Sequence, residues 1–129
     1  MLFGHPLHPE PMLREYVWRW FSLLASGDTA SAFALLDEPN SHGILWSPEL
    51  LETSLHAYKS KGPATPVVTE PSAASGRPHS NIVAFNDRSG FGYSHDLPLN
   101  GAWSDLEAQF EFVKRPQGFA VILHDVHVP

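Results

Sequence analysis

The chain has 129 residues and a mass of 14.3 kDa, with 43% hydrophobic and 17% charged residues, which suits one domain able to build its own core. Eight basic residues against fourteen acidic ones give a formal charge of −6, which opposes a phosphate-binding surface and argues against a nucleic-acid partner. With no cysteine, disulfides, thiolate metal sites and cysteine nucleophiles are excluded.

Residues 1–10 lack a basic first region, and Pro6 and Pro9 break their apolar run, so they read as a flexible N-terminal arm rather than a signal peptide. No stretch approaches the roughly 18 apolar residues of a membrane span, which makes a cytoplasmic protein without a membrane partner the default expectation. From Pro11, residues Leu13, Val17, Trp20, Phe21 and Leu24 recur at helical spacing until Gly27. Trp18 falls off this stripe, either on a second packing surface or at a partner contact. Asp28 or Thr29 caps a second short helix burying Phe33, Leu35 and Leu36, which the stretch from Glu38 to Gly43 ends. Ser47 caps a third, with Pro48 and Glu49 in its first turn and Leu51, Leu55 and Tyr58 along one side. Lys59 and Lys61 suit the negative end of its dipole, and Gly62-Pro63 stops it.

Beyond Gly62 the period changes from helical to alternating, and turn residues recur as in an antiparallel meander of four to five strands. The first, near Thr65 to Glu70, is confined to an edge by Pro66 and Pro71. Residues 71–79 form a polar, proline-interrupted, mobile loop. Two hairpins follow, Asn81 to Phe85 with Phe91 to Leu97, and Asp105 to Val113 with Phe119 to Val128. The expected fold is α+β: three N-terminal helices packed on a curved antiparallel sheet, in one domain spanning 1–129.

Alternation sorts the side chains by face. Leu106, Ala108, Phe110 and Phe112 point one way and Asp105, Glu107, Gln109 and Glu111 the other, which makes an acidic stripe, either a solvated face or a docking surface for a basic protein. On the last strand Phe119, Val121 and Leu123 oppose Ala120, Ile122, Val126 and Val128. Both faces are apolar, so helices wrap both sides or a second subunit covers one, and a homodimer is the favoured expectation.

The C-terminal pattern, Asp96-Leu97-Pro98-Leu99, Trp103-Ser104-Asp105-Leu106 with Phe110, then Leu123-His124-Asp125-Val126-His127-Val128, resembles an uncharacterised bacterial domain family that ends in a His-Asp-aliphatic-His strand. Helices followed by a curved sheet also resemble the nuclear transport factor 2-like, cystatin-like cone. That resemblance implies a range of roles: ketosteroid isomerase-like enzymes, small-molecule binders, dimeric interaction modules and immunity proteins that neutralise bacterial toxins.

His124-Asp125-Val126-His127 is the most suggestive cluster. On a regular strand His124 and His127 project to opposite faces and share no metal unless a bulge intervenes, whereas Asp125 and His127 share a face. An isomerase-like site would need a buried carboxylate base. Asp96 alternates away from Tyr93 and His95, which leaves Tyr93, His95, Asp125 and His127 as the alternative catalytic set. His5 and His8 on the arm lack a third ligand. No nucleophile elbow, phosphate loop or zincin motif is present, and no cofactor or metal is expected. Trp46 and Trp103 are two further candidates for a binding surface, with buried packing the more common outcome. The expected function is therefore non-catalytic protein binding, of an immunity type that meets a basic toxin or another protein partner, with Asp105, Glu107, Glu111 and Trp18 meeting that partner. The eight histidines add acid sensitivity, since protonating all of them takes the formal charge from −6 to +2.

Overall fold

Helix α1 (Glu10–Ala25) forms where the apolar stripe predicts it in the computed structural model, which describes residues 1–58 and 64–129. Pro11 sits in its first turn, and Leu13, Val17, Trp20 and Phe21 are buried along one side. Gly27, at φ 81°, takes the left-handed turn that ends it, and its amide donates to the Leu24 carbonyl. Asp28 caps helix α2 (Thr29–Ala34) by accepting the Ser31 amide at 3.2 Å. The Ser47 hydroxyl accepts the Leu50 amide at the start of helix α3 (Pro48–Tyr58), which buries Leu51 and Leu55. The end expected for this helix at Lys59, Lys61 and Gly62-Pro63 lies outside the described residues.

Five strands form one antiparallel sheet: β1 (Leu2–Phe3), β2 (Ser80–Ala84), β3 (Gly90–Leu99), β4 (Ala102–Arg115) and β5 (Gly118–His127), in the order β1-β5-β4-β3-β2. The three helices pack against this curved sheet, giving the α+β, cone-like architecture that the alternation and element order predict. Two details differ from the sequence reading. The Thr65 to Glu70 segment makes only an isolated bridge, Val68 with Leu99, and the fifth strand comes instead from the N-terminal arm. The arm is held there by Leu2 and Phe3 pairing with Phe119 and Gly118, by a 2.8 Å contact from the His5 ring to the Arg115 carbonyl, and by the Met1 ammonium, 2.7 Å from Asp37. Any side chain at Gly118 would collide with the Leu2 carbonyl, so the close pairing requires glycine. Residues 71–79 contain a 3-10 turn at Pro71–Ala73, and Ser75 bonds through its backbone to Gly101 and Trp103, which ties the segment to the β3–β4 hairpin.

The core lies between helices and sheet. Tyr93, His95 and Leu97 of β3, Ala108, Phe110 and Phe112 of β4, and Phe119, Val121 and Leu123 of β5 face α1 and its neighbours. Pairing shifts between Gln109, opposite Asp125, and Phe110, opposite Leu123, so His124 is an extra residue in β5. That bulge corrects the face assignment of Val126, which sits opposite Ala108 and joins the core instead of siding with Ala120 and Ile122. Ala120 and Ile122 are themselves buried, outside that cluster. No helix among the described residues is long and apolar enough to cross a membrane.

Candidate functional site

His95 is fully buried, and its two ring nitrogens are both committed. The Trp18 indole N–H lies 2.9 Å from Nε2 and can only donate, so Nε2 accepts. The proton must then sit on Nδ1, which donates to the Asp96 carbonyl at 2.7 Å. Burial pushes the pKa of this imidazole below its ordinary value, outweighing the upward pull of the Asp96 backbone bond. A neutral histidine with a fixed tautomer and no free lone pair is a structural group rather than a proton-transfer group. Its partner Trp18 is half-buried, with its ring 5.5 Å from that of Trp103, so it forms the second packing surface. Trp103 in turn lies 5.3 Å from His95, and Trp46 is buried elsewhere in the core. Tyr93 is buried beside His95, and its phenol is raised by that burial.

The isomerase-like set does not converge. Tyr93 and His95 lie opposite Phe110 and Ala108 on the helix side, whereas Asp125 and His127 lie opposite Gln109 and Glu107 on the outer side. The sheet separates the two pairs. Asp96 pairs with Glu107, away from the core, and its carboxylate accepts the His79 amide at 2.7 Å with the His79 ring 3.1 Å away. This buried carboxylate is thus capped by His79, on the face of β3 opposite to Tyr93 and His95.

The outer face carries the chemistry left unassigned. Glu107, Gln109 and Glu111 alternate with the buried Ala108, Phe110 and Phe112, and Asp125 and His127 stand across from them on β5, with His127 Nδ1 3.0 Å from the Asp125 carboxylate. The bulge brings His124 to this same side, where it borders a shallow groove of about 220 Å³ with Glu111, Gln109, Ser94, Val83 and Phe85. His124 and His127 therefore share a face, as only a bulge permits. Yet among the described residues no three His, Asp or Glu side chains converge as metal ligands. Asp105 departs from the stripe. Strand pairing shifts between Asp96 and Pro98, and the exposed Asp105 accepts the Tyr58 hydroxyl from α3.

The chain matches no protein-family model, no curated protein and no solved structure. Its functional reading rests on geometry alone. Several contributors to this face escaped the sequence reading. Asn40 anchors the loop beside β5 by donating to the His124 carbonyl at 3.0 Å while its side-chain oxygen accepts the amides of His42 and Ile44. This places the His42 ring 6.1 Å from that of His124. An Asn followed by a glycine-containing turn is the one local signal for it.

Proposed function

We propose that the chain is a non-catalytic protein-binding domain that recognises a basic protein through the outer face of its sheet, as an immunity-type protein would meet a cationic toxin in a bacterial cytoplasm. The observation that carries this reading is the one-signed charge of that face. Glu107, Glu111 and Asp125 stand together, while β2, β3 and β5 contain no lysine or arginine and β4 carries them only at Lys114 and Arg115. Arg115 is paired with Glu38 at 2.8 Å, so it offsets little of that charge. Complementary charge of this kind steers a basic partner into an encounter and rejects acidic ones. On the other side of the sheet, His95 spends both nitrogens on structure, which disfavours the isomerase-like alternative.

A lysine-rich peptide titrated into the protein at low ionic strength is expected to bind. The interaction should weaken steeply as salt is raised past the point where the Debye length falls below about 8 Å. Binding that ignores salt, or no binding at low salt, would contradict the reading.

A further inference from the structure

Of the three glycines in the strands, two are required by their neighbours: a Cβ at Gly90 would collide with the Phe112 carbonyl, and one at Gly118 with that of Leu2. Gly92 of β3 is different. Its φ is not positive, and a Cβ there would meet nothing closer than the Phe85 ring at 3.5 Å, an ordinary van der Waals contact. A glycine inside a strand weakens it, and a side chain would fit here, so the fold gains nothing from the absence of one. What the glycine leaves is space. Val83 and Glu111 face Gly92 from either side, so they stand roughly 9–10 Å apart, two strand spacings, with bare backbone between them. That backbone is the floor of the groove of about 220 Å³ on the outer face.

The polar groups around this floor accept hydrogen bonds. Glu111 takes part in none of the ion pairs among the described residues. The Gln109 amide nitrogen donates to Glu107 at 3.1 Å, and because that carboxylate only accepts, the amide is fixed in orientation and its oxygen is left to accept. His124 lines the β5 end, where its buried Nδ1 has no partner among the described residues. At the β2 end stand Val83 and the half-buried ring of Phe85. We propose that this groove receives one arginine side chain of the basic partner, with its stem along Val83, its guanidinium against the Phe85 ring and its N–H groups shared between Glu111 and Gln109. The proposal rests on the outer face being the docking surface, and it adds which residue of the partner that surface selects. A guanidinium is planar, stacks on aromatic faces and presents five donors, so one head group serves a carboxylate and a neighbouring amide oxygen together. A lysine ammonium carries the same charge as a compact, strongly hydrated point and gains less from the ring.

Fluorescence anisotropy at low ionic strength, with two labelled peptides of equal length and charge, one arginine-rich and one lysine-rich, tests the assignment. The wild-type chain is expected to bind the arginine peptide about tenfold more tightly. Gly92→Val fills the floor, and Phe85→Leu keeps an apolar wall while removing the ring, so each should reduce that preference to about twofold or less. Gly92→Ala, whose Cβ requires no neighbour to move, should give an intermediate preference. The urea midpoints of Gly92→Ala and Gly92→Val should match or exceed that of the wild type, since both residues suit a strand better than glycine, which separates lost selectivity from lost folding. Equal affinity of the wild type for both peptides, or a preference that survives Gly92→Val and Phe85→Leu, would overturn the groove assignment while leaving the docking reading in place. Failure of both peptides to bind would remove the docking reading and the groove with it.

Discussion

Replacing His95 with phenylalanine is expected to lower the unfolding free energy by about 2–4 kcal/mol and to flatten its pH dependence. The aromatic volume is kept, so the loss comes from two polar groups deprived of partners, the Trp18 N–H and the Asp96 carbonyl. The pH dependence follows from burial. In the folded protein His95 is neutral and its pKa is depressed, while in the unfolded chain it returns to about 6.5. Between those two values the unfolded chain binds the extra proton. The contribution is thus fully present above about pH 6.5 and is lost as the pH falls toward the folded value, by up to about 1.4 kcal/mol per pH unit. Urea midpoints measured from neutral to mildly acid pH for both proteins check this. The other seven histidines are common to the pair, so the difference between the two slopes isolates His95. Parallel slopes would show that this imidazole titrates normally and that the Trp18 bond does not hold it neutral.

Exchanging Glu107 and Glu111 for lysine together is expected to slow association with a basic protein or lysine-rich peptide by about 10–100-fold at low salt. Both carboxylates sit on the outer face, half-exposed, with their neighbours Ala108, Phe110 and Phe112 pointing the other way. Reversal of two charges turns the local field from attractive to repulsive without touching the core. Glu107 does accept a bond from Gln109 at 3.1 Å, but that contact lies on the surface and its loss should shift the unfolding midpoint only slightly. Stopped-flow association rates for the doubly substituted and wild-type proteins give the comparison. Equal rates would remove the acidic face from the account.

How far these features were legible beforehand differs by element. Helices α1 and α3 and the two long hairpins follow from local rules: apolar period, a capping serine, and turns such as Asn86 to Gly90. The alternation along β4 is equally local, which is why the faces of Glu107 and Glu111 could be read directly. β1 could not be, because two residues carry no period and Leu2 becomes strand only through distant Phe119. The bulge at His124 is likewise a property of paired strands, not of the His-Asp-Val-His string, and it moved Val126 into the core. Trp18 and His95 are 77 positions apart, so the bond that explains the off-stripe tryptophan and silences the buried histidine has no sequence signature. Asp105 was assigned to the stripe by alternation, and an irregular step in pairing near Pro98 lets α3 engage it instead.

The central claim is that recognition happens on the outer side of the sheet while the polar groups on its inner side serve the fold. Amide chemical shifts followed by nuclear magnetic resonance during titration with the lysine-rich peptide test it most directly. The account predicts that Ser94, Gln109, Glu111 and His124 move first and furthest, with the side-chain signals of Trp18 and His95 unchanged. Perturbations centred on Tyr93, His95 and Trp18, with the outer face silent, would contradict it.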